Sequence, residues 1–373
     1  MRVVVGVMTG SSIDGIDTVV AEIEGVGLEI GARMLVHRKD ELGPVAQGLR
    51  RAARQVPLTA GDLAGLALQF GERLAGAIHE ATREAGVGVP DLVAVHGQTI
   101  VHKPPVSWQL LNPAPIARRL RCPVVFDLRQ ADLAAGGRGA PITPLADWVL
   151  FRRPDRRRAI VNLGGFCNAS IVTPDLDDVL GFDICVCNHV LDAVARETLG
   201  TPYDPDGRAA RSGRSDHDAA EALRATLDDQ RSARRSLGTG DEAEAWVIEH
   251  QGRLTGADLA ATAIAAVSGC IAAAVEAHDV RDIVLAGGGA RNLALAEAIH
   301  GAPWSDRCPC VVLSDTLGVP VEAREALAMA VLGAMSADGV PITLPQVTGC
   351  RAPAPLAGSW CTVTRGTPPT PAP

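Results

Sequence analysis

Three separated stretches of the chain combine glycine with small polar residues in a way that bares backbone N–H groups. They are Gly10, Ser11, Ser12, Ile13, Asp14, Gly15, Ile16 and Asp17 in VMTGSSIDGID, Gly164 and Gly165 in VNLGGFCN, and Gly287, Gly288 and Gly289 in VLAGGGARN. Amides and hydroxyls at such bends form concavities for anions, and the chemistry they suit is the holding of phosphate oxygens. A Walker-type loop would also need a lysine with Ser or Thr, followed by a helix. The first stretch has no lysine: the chain's two lysines, Lys39 and Lys103, lie elsewhere, against thirty-three arginines. The residues that continue it, IDTVVAEI, are β-branched and alternating, so the element reads as the tip of a hairpin. Taken singly, each bend serves as well as a plain structural turn. Three of them, each directly after an apolar run, favour a nucleotide held between two domains.

The elements that must position these bends are short strands: VVVGVMTG, AIVNLGG at 159–165 and DIVLAGGG at 282–289. Alanine- and leucine-rich stretches at 61–85, 190–199, 257–277 and 321–335 read as helices between them. The alternation predicts an α/β fold with sheets covered by helices. A strand-to-glycine bend in each half hints at two related domains, without a literal repeat. Residues 202–217 and 228–242 are polar and turn-rich and are expected as exposed loops, and the tail from Thr362 as disordered.

A chain of 373 residues, 47% hydrophobic, can bury one large or two medium cores. A net charge of −8 and 3% aromatic residues leave little for nucleic acid to bind. The N-terminus meets Gly6 before an apolar stretch long enough for a signal peptide builds up. Nine scattered cysteines fit a reducing cytoplasm, with thiols mostly buried as small apolar groups. The CxC pairs 185/187 and 308/310 would make a zinc site only if all four thiolates converged. The apolar stretch from Leu259 is too alanine-rich for a membrane and reads as a core helix. FRRPDRRR at 151–158 reads as a solvated loop before a strand.

In order along the chain, VMTGSSIDGID, AVHGQTIVHKP, FDLRQADLAAGGRGAPITP, AIVNLGGFCNASIV, GFD with Asn188 behind it, YDPDGRAARSG, LAGGGARN, GVPVEAREALAMA and LPQVTG together resemble the anhydro-N-acetylmuramic acid kinases of the sugar kinase, Hsp70 and actin superfamily. The resemblance implies two actin-like (ribonuclease H-like) α/β domains with mixed sheets flanked by helices and a cleft between them. Residues 1–131 with about 343–361 would form one and 132–342 the other. It implies an ATP- and Mg²⁺-dependent enzyme of peptidoglycan recycling that opens the 1,6-anhydro ring with water and phosphorylates O6, in the cytoplasm, in a family that often forms homodimers. By that resemblance Gly10 to Asp17 form the first phosphate loop, Gly164, Gly165 and Asn168 the second, and Gly287 to Gly289 with Asn292 flank the adenosine. Asp183 would be the general base on water, and Arg129, Glu325, His96 and Gln98 would line the sugar pocket.

Those roles suit the residue types. A single carboxylate can deprotonate water, and an arginine such as Arg129 can pair bidentately with a substrate carboxylate. Phosphate would then be held by oriented amides and Mg²⁺ in a lysine-free site. Outside the resemblance, Asp183 reads as a turn or capping aspartate, Arg129 as an ion-pair partner, Glu325 as a first-turn glutamate complementing its helix dipole, and His96 as a structural histidine. Residues 184–187 after Asp183 are expected in a turn. A nucleotide- or sugar-binding relative without catalysis, and a kinase for a different sugar acceptor, are the alternatives to a working anhydro-sugar kinase.

Overall fold

The computed structural model describes residues 1–232, 241–304, 308–354 and 358–363. Residues 364–373 of the expected tail, and 233–240 of the second polar segment, lie outside them.

Strands β1 (Arg2–Met8), β2 (Ile16–Glu24), β3 (Gly31–Asp40), β4 (Leu92–Val95) and, beyond a separate hairpin β5 (Gln98–Lys103) and β6 (Val106–Leu110), β7 (Val124–Phe126) build the first sheet. β8 (Arg158–Leu163), β9 (Phe166–Val172), β10 (Leu180–Val186), β11 (Asp282–Ala286) and β12 (Cys310–Leu313) build the second. β13 (Ser359–Cys361) returns to pair with β7 at the edge of the first sheet. The two sheets share one topology. Their orders are β3-β2-β1-β4-β7 and β10-β9-β8-β11-β12, with the first three strands antiparallel and the last two added in parallel. The repeat hinted at by the glycine bends is therefore a repeat of strand order.

Helices Pro144–Phe151 and Arg324–Ala337 lie between the sheets. One core contains Val4, Val19 and Ala21 of the first sheet, Ile160, Val172 and Val284 of the second, and Leu327, Met329 and Val331 of the latter helix. The helix backbone passes so close to β1 that any side chain at Gly6 would overlap the carbonyl of Ala326. The outer face of the first sheet is covered by helix Ala60–Glu84, whose Leu66, Phe70, Leu74 and Ile78 repeat at the i, i+4 spacing of one helix face. A reciprocal Thr59–Asp62 cap starts it. Helix Gly256–Glu276, long and apolar enough by composition to cross a membrane, instead packs its Leu259, Ala263, Val267, Ile271 and Val275 into the core on the outer face of the second sheet.

Two local expectations fail. The stretch 202–217 carries helical turns Pro205–Gly207 and Arg208–Ser212, because the Asp204 carboxylate accepts from the N–H groups of Ala209 and Ala210 at 3.0 Å each. The second polar segment is the end of helix His217–Ser232 and the start of helix Asp241–His250. Cys308 and Cys310 are exposed while Cys185 and Cys187 are buried, so the two pairs do not converge, and among the described residues no cluster of three His, Cys, Asp or Glu suits a metal ion.

Candidate active site

The first bend joins β1 to β2 as the hairpin its sequence predicts. Ile13 is buried at a φ of +52°, a strained region for a β-branched residue. Its N–H donates to Gly10 O at 3.2 Å, and its carbonyl accepts from Arg50 Nη2 at 2.7 Å. Ser12 Oγ donates to Asp14 Oδ1 at 2.8 Å. The site is not lysine-free. Pairing of β2 with β3 sets Lys39 opposite Asp17, and Lys39 Nζ donates to Asp14 Oδ2 at 3.1 Å. The lysine stem crosses Gly15, where a Cβ would stand 2.8 Å from Cε. Partial burial opposes the ammonium charge, but Asp14, with Asp17 and Glu322 farther off, outweighs it and raises the Lys39 pKa. Burial likewise opposes the Asp14 charge, yet the hydrogen bond from Ser12 and the charge of Lys39 leave its carboxyl below the ordinary value.

The second and third bends lie side by side because β8 and β11 are parallel neighbours, with Asn162 opposite Ala286. Gly287 has a φ of +82°, and a Cβ there would meet Asn162 Oδ1 and Leu163 O at 2.8 Å; a Cβ on Gly289 would meet Asn188 Oδ1 at 2.5 Å. Gly288 faces open space. The carbonyls of Gly164 and Gly165 accept from the N–H groups of Asn188 and Cys187 at 3.0 and 2.9 Å, which ties this bend to helix Asn188–Val194. His189 of that helix lies over Gly165, 2.5 Å from where a Cβ would be. Asn162, buried between the two bends, has an Oδ1 without a hydrogen-bond partner. Two residues expected in phosphate or adenosine loops are placed otherwise. Asn168 lies within strand β9, and the Asn292 side chain caps helix Leu293–His300 by accepting from Leu295 N at 3.1 Å. Gly207, at a φ of +66°, packs directly on that Asn292 oxygen.

Register then forms a polar row that the linear sequence hides. Asn168 stands opposite Asn162 on one side and Asp183 on the other, so all three share a face of the second sheet. The expected turn after Asp183 is absent. β10 runs on through Val186, with a register shift between Asp183 and Cys185, and Ile184 to Cys187 are all buried. The bulge leaves the Asp183 side chain exposed while the next residues enter the core, and none of residues 184–187 has a positive φ. Bulky and β-branched residues therefore fit there, since 184–186 continue the strand and Cys187 keeps a negative φ at the start of helix Asn188–Val194.

Crowding by surrounding protein raises the Asp183 carboxyl, against the pull of the Arg129 and Arg138 charges, as expected of a solvent-reached carboxylate in a concave place. Arg129 follows β7 and belongs to the first sheet's side of the molecule. Its Nε and Nη2 donate to His96 Nε2 at 3.1 and 2.8 Å, and its Nη1 to Gly139 O at 2.7 Å. Three of the five N–H groups of a guanidinium are thus used, leaving one on each Nη for a bidentate partner. Burial lowers Arg129 to about 10, against the Asp183 and Glu325 charges. His96 Nδ1 donates to Gly97 O at 2.8 Å, which leaves Nε2 as the acceptor; burial and then Arg129 push its pKa down to about 3, so it is neutral. Gln98 is buried, with a long contact from Nε2 to Gly10 O at 3.4 Å and an unpartnered Oε1. Glu325, in the first turn of its helix, is raised by burial and feels Arg324, Asp17, Asp147 and Arg129.

The structure thus gathers Asp183, Arg129, Glu325, His96 and Gln98 around one region and sets the glycine bends beside it. Sequence reasoning missed Lys39, Asn162 and His189. It also missed the buried Asp132, which accepts from Gly139 N at 2.7 Å and so holds the carbonyl that anchors Arg129. Only the lysine had a signal in the sequence, its rarity.

The family model described as "Anhydro-N-acetylmuramic acid kinase" matches residues 2–361. The anhydro-N-acetylmuramic acid kinase of Salinibacter ruber is 34% identical over 385 residues, covering 95% of each chain. That of Streptomyces coelicolor is 35% identical over 380 residues, covering 95% of this chain and 93% of its own. Among solved structures, component A of the (R)-2-hydroxyglutaryl-CoA dehydratase of Acidaminococcus fermentans superposes with a TM-score of 0.50 at 14% identity, covering 90% of this chain and 98% of that one, a likeness of fold alone. With its motifs in order and nearly its whole length matched, the chain belongs to the anhydro-N-acetylmuramic acid kinase family.

Proposed function

We propose that the protein is an ATP- and Mg²⁺-dependent kinase that opens the 1,6-anhydro ring of anhydro-N-acetylmuramic acid with water and phosphorylates O6, giving N-acetylmuramic acid 6-phosphate. The observation that carries the reading is the placement of Asp183: an exposed carboxylate at a bulge, on the sheet that bears two of the glycine bends, in the field of Arg129 from the other sheet. Its raised pKa makes it a better base than a free aspartate. In this reading Asp183 takes a proton from the water that attacks the anomeric carbon, and the anomeric carbon's bond to O6 breaks. Arg129, fixed by His96 and Gly139, offers its two free donors to the sugar's lactyl carboxylate. Glu325, His96 and Gln98 close the pocket around the sugar.

The bends fit a nucleotide triphosphate. Gly287 and Gly289 let the third bend press against Asn162, Leu163 and Asn188 where a Cβ would clash, Gly288 between them faces open space, and the orphan Asn162 Oδ1 is a buried acceptor beside them. Gly10 to Asp17, Gly164 and Gly165 would hold phosphates, and Gly287 to Gly289 the nucleoside side, with Asn168 and Asn292 acting through the sheet and the helix cap. ATP supplies the phosphoryl group for O6. Mg²⁺ held mostly by phosphate oxygens and water needs few protein carboxylates. Residues 1–131 with 343–361 and residues 132–342 would be the two lobes that close over the substrates. We place the reaction in the cytoplasm and take a homodimer as the assembly, which scattering with and without nucleotide would check for both mass and closure.

The test is incubation of the purified chain with ATP, Mg²⁺ and anhydro-N-acetylmuramic acid. A phosphorylated, ring-opened product is expected. Binding of ATP with no turnover, unchanged in Asp183→Asn, would refute the proposal in favour of a non-catalytic relative.

A further inference from the structure

The chain has two lysines among 373 residues, and one of them stands at the first bend. Lys39 reaches it from β3, a strand outside the loop. Its stem lies over Gly15, where a side chain would displace it, and its ammonium rests on Asp14, about half exposed. Asp14 also accepts from Ser12 and is felt by Asp192 in helix Asn188–Val194 behind the second bend, so Lys39 stands at the approach between the two bends. A lysine ammonium is a compact point charge with three rotatable donors on a flexible stem. Held by one half-exposed carboxylate, it is free to exchange that partner for a more highly charged one. An arginine braced as Arg50 is on Ile13 O has no such freedom.

We propose that Lys39 is a phosphate-recognition residue of this enzyme, parked on Asp14 and transferred to the terminal phosphates of the nucleotide when it binds. The inference rests on the nucleotide reading given above and adds to it a residue from outside the glycine bends. Lys39 then discriminates by phosphate number. Its charge contributes to ATP most, to ADP less and to AMP little, since AMP lacks the phosphates it meets.

Titration calorimetry of the full chain with ATP, ADP and AMP, each with Mg²⁺, tests this in wild type, Lys39→Met and Lys39→Arg. Lys39→Met is expected to weaken ATP by about 10- to 100-fold, the worth of a hydrogen bond to a charged group, while AMP stays within about 3-fold. Lys39→Arg, which keeps the charge, should recover most of the loss. In turnover, the loss should fall on the KM for ATP and leave the KM for the sugar unchanged. A structural salt bridge would weaken all three nucleotides alike. If Lys39→Met keeps the wild-type ratio of ATP to AMP affinity, the role assigned to Lys39 is wrong while the nucleotide reading stands. If wild type binds no nucleotide, both are wrong.

Discussion

Among the described residues Arg324 is the largest fully buried side chain, at 1% exposure, and its removal should be the most damaging single change away from the site. From helix Arg324–Ala337 it donates through Nε to Asp147 Oδ1 at 2.8 Å, through Nη2 to Thr143 Oγ1 at 2.9 Å, and through Nη2 to Asp147 Oδ2. Asp147, wholly buried, also accepts from Ser170 Oγ at 2.5 Å. The pair therefore locks together the two helices that lie between the sheets, with Glu325, proposed above to line the sugar pocket, as the next residue. In Arg324→Met the methionine fills part of the volume and leaves Asp147 without its cation. Two hydrogen bonds to a charged carboxylate, at about 1.5–3 kcal/mol each, bracket a loss of about 3–6 kcal/mol. Stranding one partner of a buried ion pair costs about 3–5 kcal/mol, which narrows the range to its lower part. The buried Arg324 Nη1 already lacks a partner, so the intact pair is worth less than the cost of breaking it. The double variant Arg324→Met, Asp147→Leu should accordingly recover at least half of the loss. Urea unfolding followed by tryptophan fluorescence and circular dichroism measures both. A single variant within about 1 kcal/mol of wild type, or a double variant less stable than the single, would refute the reasoning.

Asp183→Asn should lower kcat by roughly 10²–10⁴-fold, the usual worth of a general base, with calorimetric ATP affinity unchanged; a loss under 10-fold would remove Asp183 from the chemistry. Gly287→Ala puts a Cβ 2.8 Å from Asn162 Oδ1 at a φ of +82°, and should cost about 1–3 kcal/mol of stability and weaken ATP; an unchanged urea midpoint would contradict the tight packing of the third bend on the second. Burial, with Asp14 nearby and against the pull of Arg196, raises Asp192 to about 6 from an ordinary 3.8. The folded state therefore holds this proton longer than the unfolded one. The resulting penalty is absent below pH 3.8, grows up to about pH 6 and is complete above it. Asp192→Asn should raise the unfolding midpoint at pH 7.5 and not at pH 3.5, and an equal rise at both would rule the titration out.

What the sequence determined alone was whatever local sterics and periodicity dictate. The β1–β2 hairpin follows from β-branched runs on either side of a glycine-rich tip, and helix Ala60–Glu84 follows from its apolar spacing and its Thr59–Asp62 cap. The family's motifs, kept in order along the chain, also single out Asp183 and Arg129 as candidates. Tertiary structure alone decided which distant residues meet. Lateral strand register lines up Asn162, Asn168 and Asp183 and brings Lys39 to Asp14; these strands are neighbours along the chain, but which residues face each other depends on turn geometry and on the register shifts in β2–β3 and β9–β10, which residue preference does not contain. A bulge replaced the expected bend at 184–187 with buried strand as far as Val186, because strand pairing and core packing, which single-residue preference does not contain, chose the backbone there. The ion pair of Arg324 with Asp147, 177 residues apart, and the neutral His96 set against Arg129 exist because burial makes unpaired polar groups costly, and burial belongs to the folded chain.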